Sequence, residues 1–107
     1  MTVICIAEDR SSEEIAVKFL LLSLSRHCPD IKTIVTFPPA TEKFQKFTEN
    51  LPNIELRTTP IQGSFGWNVK PQAMLSLFEE GYEEVWWIDS DIILIDDFRN
   101  RLENFSD

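Results

Sequence analysis

The fold is decided by the stretch Glu84–Asp91, which reads EVWWIDSD. Its apolar centre, Val85–Ile88, is typical of a short strand that is buried on both faces. Two carboxylates, Asp89 and Asp91, follow directly. In open α/β sheets ligands bind outside the carboxyl ends of the strands, so both carboxylates lie where a ligand site is expected. If the backbone stays extended, residues two apart also point to the same side.

The paired carboxylates point to a divalent cation. Like charges at the end of a buried strand repel each other, and their removal from water adds to the cost. A bound cation offsets both effects. Oxygen ligands favour Mg²⁺ or Mn²⁺, which commonly bridge to the phosphates of a substrate. The alternative is that Asp89 and Asp91 cap the turn that follows, and their position after an apolar strand favours the cation.

Strands and helices alternate along the chain before this motif. Strands are predicted at Thr2–Ala7, Ile31–Phe37, Ile54–Thr58 and Glu84–Ile88. Helices are predicted from the capping-box pattern Ser11-x-x-Glu14 to His27, from the cap Thr41 to Pro52, and from Pro71 to Gly81. This alternation predicts a three-layer α/β/α fold with a mostly parallel sheet.

The apolar residues of the helices and strands predict what packs in the core. The first helix is expected to carry a wide apolar surface made by Ile15, Ala16, Phe19, Leu20, Leu22 and Leu24, and the third to bury Ala73, Met74, Leu77 and Phe78. Trp86 and Trp87 alternate in a strand, so one side chain is expected on each face of the sheet, and both are interpreted as packing residues. A further apolar run follows at Ile92–Ile95, and Phe98–Phe105 is predicted to form a last partial helix.

The negative charge is concentrated at one end of the chain. Residues 1–78 contain eight acidic and eight basic residues, whereas residues 79–107 contain ten acidic and two basic ones, which accounts for the net charge of −8. A chain without a basic stripe is a poor candidate for binding nucleic acid or an anionic membrane. No run approaches the ~20 apolar residues that span a bilayer.

Cysteine and histidine usage indicates a cytoplasmic protein without a zinc site. Cys5 and Cys28 have neither metal-ligand spacing nor a disulfide-rich context, so both are predicted to be reduced thiols. His27 has no second histidine as a partner. Met1 leads directly into an apolar segment, and no secretory signal pattern is visible.

Two more residues are candidate ligand contacts. Lys70 precedes Pro71 at the start of a predicted helix, where the helix dipole opposes a cation, so the fold itself does not require a lysine there. Asp9 lies just past the first strand, at the same sheet edge as Asp89. The alternatives are a solvated loop lysine and a helix cap, a role for which Ser11 competes with Asp9.

The stretch Gly66–Phe98, GWNVKPQAMLSLFEEGYEEVWWIDSDIILIDDF, resembles the central motif of GT-A fold nucleotide-sugar glycosyltransferases. In that family a helix beginning Lys-Pro-x-Ala precedes a strand that ends in Trp, an apolar residue and Asp-x-Asp. These elements are Lys70–Met74 and Trp87–Ile92 here. The opening Thr2–Asp9, TVICIAED, resembles the first strand of the family and its nucleotide-contacting turn.

The resemblance implies a GT-A (Rossmann-like) half-domain that transfers a sugar from a nucleoside diphosphate sugar to an unknown acceptor. Asp91 would coordinate Mn²⁺ or Mg²⁺, which in turn would hold the diphosphate of the donor. Asp89 would contact the ribose or the donor sugar and share the metal. The metal would stabilise the charge that develops on the leaving diphosphate.

The resemblance also implies where the rest of the donor binds. Asp9, with Ala7 and Glu8 nearby, would line the base pocket, and Lys70 would lie near the diphosphate or sugar. Family members are longer, and their second half supplies the acceptor site, a further metal ligand and any catalytic base. Residues 1–107 are therefore expected to form a single donor-binding domain, incomplete at its C-terminus, that can self-associate through an uncovered sheet edge.

Two other functions stay open from the sequence. One is a phosphatase-like hydrolase that uses Asp89 as its nucleophile. The three strand–helix units before the motif, and Ile92 and Ile93 after it, argue against this reading. The other is a nucleotide- or metal-binding module without catalytic activity.

Overall fold

The computed structural model describes residues 2–61 and 69–90, and these residues form a parallel sheet with helices on both faces. The strands are β1 (Thr2–Ala7), β2 (Lys32–Thr36), β3 (Ile54–Arg57) and β4 (Glu84–Trp87). The helices are α1 (Glu14–His27), α2 (Glu42–Glu49) and α3 (Val69–Glu79), and a 3-10 turn at Ser11–Glu13 precedes α1. Within these residues the sheet order is β3-β2-β1-β4, and every pair of neighbouring strands is parallel.

Strand β1 is the centre of the molecule and is buried on both faces. Ile4 and Ile6 pack in the core that α1 and α2 cover, and Val3, Cys5 and Ala7 pack in the core that α3 covers. A strand that is packed on both faces needs apolar side chains at consecutive positions, rather than an alternation of apolar and polar ones. This explains the unbroken apolar run in the sequence. The predicted three-layer α/β/α fold with a parallel sheet is confirmed.

The buried face of α1 is narrower than the predicted apolar surface. Helix α1 buries Val17, Leu20, Leu21 and Leu24, the i, i+3, i+4, i+7 pattern of a single helix face. Ile15, which belongs to the predicted apolar surface, is 70% exposed, and Phe19 and Leu22 are also exposed. Because apolar residues cover most of α1, the sequence alone did not identify which of them face inward.

The start of α1 also corrects the prediction, because the capping box does not form. The carboxylate of Glu14 instead accepts the backbone N–H of Thr41 at 2.9 Å, which ties α1 to the segment before α2. Helix α2 is capped as predicted, because Oγ1 of Thr41 accepts the backbone N–H of Phe44 at 3.1 Å.

Helix α3 begins at Val69, two residues before the predicted first position, Pro71. Proline is tolerated there because the first four N–H groups of a helix have no partner within it. Leu77 is buried as predicted, whereas Phe78 is exposed, which is a correction. Gly81 follows the end of the helix with φ 104°, a left-handed conformation that favours glycine.

The two cysteines lie on opposite sides of the sheet. Cys5 packs in the core under α3, and Cys28 packs in the core under α1 and α2. Burial raises the pKa of the Cys5 thiol to about 12, and the positive charge of Arg57 opposes this effect only in part. A buried thiol with so high a pKa is a packing group rather than a nucleophile.

The path of the chain creates a reversal next to β1. From β1 the chain moves outward to β2 and β3, and it then returns to place β4 on the other side of β1. The pairing of β4 with β1 continues past the strand, because the backbone N–H of Ile88 donates to the carbonyl of Cys5 at 3.2 Å. A reversal of this kind opens a crevice at the carboxyl ends of the two strands.

Several predicted features lie outside the described residues. They are Asp91, the apolar run Ile92–Ile95 and the predicted helix Phe98–Phe105. None of the helices in residues 2–61 and 69–90 combines the length and the hydrophobicity that crossing a membrane requires.

Candidate functional site at the carboxyl ends of β1 and β4

A cleft of about 460 Å³ lies at the reversal between β1 and β4. Its walls come from the turn after β1, the first residue of α3, and the end of β4 with the residues that follow it. The lining residues are Ala7, Glu8, Asp9, Arg10, Val69, Trp87, Asp89 and Ser90. The cleft is thus where the topology of an open parallel sheet predicts a ligand site.

Glu8 is a buried carboxylate that joins the two walls of this cleft. It directly follows β1 and is only 5% exposed. Its Oε2 accepts the backbone N–H groups of Asp9 at 3.1 Å and Arg10 at 3.0 Å. Its Oε1 accepts the hydroxyl of Ser90 at 2.7 Å, across 82 residues of sequence. Glu8 therefore fixes the turn after β1 relative to the residues that follow β4.

Hydrogen bonding keeps Glu8 ionised. Burial by itself would raise the pKa of this carboxyl, but the hydrogen bonds from Arg10 and Ser90 and the charge of Arg10 outweigh burial and lower the pKa to about 2. Glu8 is thus a charged group at neutral pH that is satisfied by its own neighbours. A carboxylate with so low a pKa is not suited to act as a general base.

Arg10 is held by Glu8 and contributes to the lining of the cleft. Its Nε donates to Oε2 of Glu8 at 2.9 Å, and its Nη2 donates to Oε1 at 3.0 Å, which makes a bidentate pair. The side chain is nevertheless 65% exposed. Glu13 approaches Nη1 only to 3.9 Å, beyond hydrogen-bond distance. The pair with Glu8 raises the pKa of Arg10, so the guanidinium is always charged.

Asp89, on the opposite wall, is oriented by Trp87. The indole Nε1 of Trp87 donates to Oδ1 of Asp89 at 2.6 Å. Trp87 packs against the core under α3, and Trp86 packs against the core under α1 and α2, so the prediction of one tryptophan on each face is confirmed. The interpretation of Trp87 as a packing residue alone was incomplete, because its polar edge also holds a carboxylate of the cleft.

Lys70 lies beside the cleft rather than in its lining. It is in the first turn of α3, and its Nζ is 5.5 Å from the centroid of the Trp87 ring, within cation–π distance. The ring of Trp87 thus connects Lys70 to the wall that carries Asp89.

The structure brings most of the predicted donor-binding residues to one place. Ala7, Asp9 and Asp89 line the same cleft, with Lys70 next to it, and Asp91 lies outside the described residues. Three further lining residues, Arg10, Ser90 and Val69, had no role predicted from the sequence. No local sequence pattern indicates a role for these residues. Arg10 and Ser90 both contact Glu8, and this shared contact is seen only in the structure.

The described part of the cleft does not hold a metal by itself, and its chemistry suits a metal shared with a ligand. Among residues 2–61 and 69–90, no group of three or more His, Cys, Asp or Glu side chains could hold a metal ion. Mg²⁺ is typically bound by one or two carboxylates together with substrate phosphates. Asp89 is exposed, and its bond to Trp87 uses one carboxylate oxygen, Oδ1. Asp89, followed two residues later by Asp91, fits that type of site.

A second cleft, of about 550 Å³, lies at the opposite edge of the sheet, by the amino ends of β2 and β3. Its polar groups have structural partners. Lys32 and Glu55 pair at 3.2 Å, and the side-chain amide of Asn53 donates to the carbonyls of Cys28 and Ile31 at 3.4 Å. Parallel sheets bind ligands at the other edge, so the smaller cleft is the better candidate.

Comparison with solved structures supports the fold. S. aureus TarS (residues 1–349) matches with a TM-score of 0.62 and 16% identity, over 97% of this chain and 31% of that one. The bifunctional glycosyltransferase WbbM, in its apo structure, matches with a TM-score of 0.61 and 20% identity, over 95% of this chain and 20% of that one. The fold is glycosyltransferase-like.

These likenesses concern a part of each longer protein. The chain spans 31% of the TarS chain and 20% of the WbbM chain. No protein-family model and no curated protein sequence matches the chain. At such low sequence identity, the comparison establishes the architecture, and function has to be argued from the cleft.

Proposed function

We propose that the chain is the donor-binding part of a glycosyltransferase that takes a sugar from a nucleoside diphosphate sugar in a divalent-metal-dependent reaction. The observation that carries this proposal is the cleft at the carboxyl ends of β1 and β4, with Asp9 after one strand and Asp89 after the other. The likeness of the fold to the glycosyltransferase WbbM supports it.

In this proposal the wall after β1 binds the nucleoside. Ala7 lies at the end of β1 and is buried, so its backbone is a fixed edge against which a flat base can lie. Asp9 is exposed at the same end of the cleft. Its carboxylate can accept hydrogen bonds from an N–H group of a base or from a ribose hydroxyl.

The wall after β4 receives the sugar and the diphosphate. Asp89, oriented by the indole of Trp87, contacts the ribose or the donor sugar, and Lys70 lies near the diphosphate or the sugar. Asp91, with Asp89, would hold Mn²⁺ or Mg²⁺. When bound, that cation supplies positive charge that stabilises the leaving diphosphate.

Titration calorimetry with UDP-sugars and GDP-sugars, with and without Mn²⁺, tests the proposal. We expect metal-dependent binding of one nucleotide class, weakened at least tenfold in Asp89→Asn, because a neutral amide is a much poorer cation ligand. Asp30→Asn is the matched control, because it removes the same charge at the opposite edge of the sheet, and it should leave the affinity unchanged.

Two outcomes would contradict the proposal. One is binding that needs no metal and is the same in Asp89→Asn and the wild type. The other is turnover of a generic phosphomonoester that Asp89→Asn abolishes, since this would favour a hydrolase with Asp89 as its nucleophile. Donor binding without any sugar transfer or donor hydrolysis in the presence of candidate acceptors would favour a binding module.

A further inference from the structure

We propose that Arg10, held in place by the buried carboxylate of Glu8, contacts the diphosphate of the ligand in the cleft between β1 and β4. This inference rests on the proposed function. It names a phosphate-binding group that neither the sequence pattern nor the comparison assigned, and it makes Glu8 the positioning residue for that group.

The charges of the cleft favour such a group. Among the described lining residues, Glu8, Asp9 and Asp89 are acidic and Arg10 is the basic one. A diphosphate that enters this cleft meets carboxylates on both walls, and their repulsion disfavours binding unless positive charge is close. Arg10 supplies that charge as a lining residue of the cleft. Lys70 is not a lining residue, and its ammonium group lies against the ring of Trp87.

The geometry of Arg10 suits phosphate. The pair with Glu8 uses one N–H on Nε and one on Nη2, so three of the five guanidinium N–H groups are not used by that pair. A guanidinium presents its N–H groups as a planar fork that matches two phosphate oxygens at once. The exposed fraction of the side chain, 65%, shows that a ligand can reach it.

Glu8 prepares Arg10 for this contact before the ligand arrives. An arginine side chain normally loses much rotational freedom when it binds an anion, and a side chain that is already fixed loses less. The carboxylate that fixes it is itself held by two backbone N–H groups and by the hydroxyl of Ser90. Arg10 is thus attached to the rigid end of β1 rather than to a mobile loop.

Ser90 extends the arrangement to the other wall. Its hydroxyl donates to Oε1 of Glu8, and it lies between Asp89 and Asp91 in the sequence. A single buried carboxylate therefore holds both Arg10, after β1, and Ser90, which follows Asp89 after β4. In the proposed complex Arg10 approaches the diphosphate from one wall, and the metal that Asp89 would help to hold approaches it from the other.

Paired titrations test the inference. The full chain is titrated with UDP and with uridine, and with GDP and guanosine, in the presence of Mg²⁺. The ratio of diphosphate to nucleoside affinity measures the phosphate contacts. We expect Arg10→Gln to lower the affinity for the diphosphate about ten- to hundredfold and that for the nucleoside less than twofold. Arg10→Lys should recover only part of the loss.

The role of Glu8 has its own readout. Glu8→Gln should lower the same affinity ratio and leave nucleoside binding within about twofold, which a general loss of structure would not do. The double variant Glu8→Gln/Arg10→Gln should bind the diphosphate no more weakly than Arg10→Gln alone, because the two residues act as one unit. Arg57→Gln, which breaks a similar ion pair outside this cleft, is the control and should change neither affinity.

The outcomes separate this inference from the proposed function. If the wild type binds the diphosphate and Arg10→Gln binds it equally well, the inference is wrong and the proposed function stands. The same holds if Lys70→Gln alone removes the phosphate contribution, or if Arg10→Gln weakens diphosphate and nucleoside equally. If the wild type binds no nucleotide and no nucleotide sugar, the proposed function itself fails.

Discussion

Two pairs with the spacing Glu-x-Arg occupy different regions of the sheet. Glu8 and Arg10 follow β1, at the cleft, and Glu55 and Arg57 lie in β3, at the outer side of the described sheet. In both pairs Nε of the arginine donates to the carboxylate two residues earlier, at 2.9 Å in the first and 2.6 Å in the second. The local geometry is therefore alike.

The surroundings make the two arginines different. Arg57 also donates from Nη1 and Nη2 to Glu80, just after α3, at 2.6 and 2.8 Å, so two carboxylates hold it. Arg10 is held by one carboxylate, and the remainder of its guanidinium faces the cleft. The same spacing thus has two outcomes. Arg57 forms an ion pair that links β3 to the end of α3, because a second acid is within reach. Arg10 lines the cleft, where a ligand can reach it.

The largest expected effect comes from removing Glu8, the acid of the pair at the cleft. Glu8→Ala should lower the free energy of unfolding by about 2 to 3 kcal/mol, because it leaves two backbone N–H groups and the buried Ser90 hydroxyl without their acceptor. Glu55→Ala should cost less than about 1 kcal/mol, because its carboxylate is 40% exposed. Urea denaturation measures both values, and equal values would remove the distinction between the two pairs.

The two pairs are also expected to differ in how far they make the stability of the protein depend on pH. The pKa of Glu8 is lowered from 4.5 to about 2, so its contribution to stability is complete above pH 4.5 and is lost as the pH falls towards 2. We expect about 2 kcal/mol of acid-dependent stability from this group, after allowing for the solvent screening of its exposed partner.

Urea denaturation between pH 5 and pH 2 checks this expectation. In Glu8→Gln the free energy of unfolding should vary less with pH than in the wild type. The pKa of Glu80 is also lowered, mainly by its hydrogen bonds from Arg57, but Glu80 is 39% exposed, so Glu80→Gln should change the profile less. A profile that is the same in Glu8→Gln and the wild type would contradict the assignment.

The smallest effect is expected at the second arginine. Arg57→Gln should lower the free energy of unfolding by less than about 1 kcal/mol, since both of its acidic partners remain in contact with water. Its affinity for UDP or GDP should equal that of the wild type. A loss of nucleotide affinity in Arg57→Gln would show that the ligand lies elsewhere on this sheet edge.

Most elements with local signals were predicted from the sequence, although the capping box of Ser11 and Glu14 does not form. The apolar run of β1, the Thr41 cap of α2 and the glycine after α3 each depend on neighbouring residues, and each was placed correctly. The inward face of α1 was missed because apolar residues surround that helix. Which of those side chains is buried depends on packing against the sheet, which no local pattern contains.

The same distinction holds for the cleft. Asp9 and Asp89 could be predicted because a general rule of parallel sheets points to the ends of strands, and Ala7 was implied by the resemblance to a known family. The roles of Glu8 and Ser90 could not, because their hydrogen bond joins groups 82 residues apart. The sequence-based view singled out Lys70 as the cation of the site, whereas the structure adds Arg10 inside the lining.

The central claim is that the cleft between β1 and β4, and not the larger cleft at the other edge, binds the nucleotide. Backbone amide chemical shifts during a titration with UDP or GDP and Mg²⁺ test it most directly. We expect the largest changes at residues 7–10 and 87–90, with little change at residues 29–32 and 52–55. Changes concentrated at the latter residues, or none at all with either nucleotide, would contradict it.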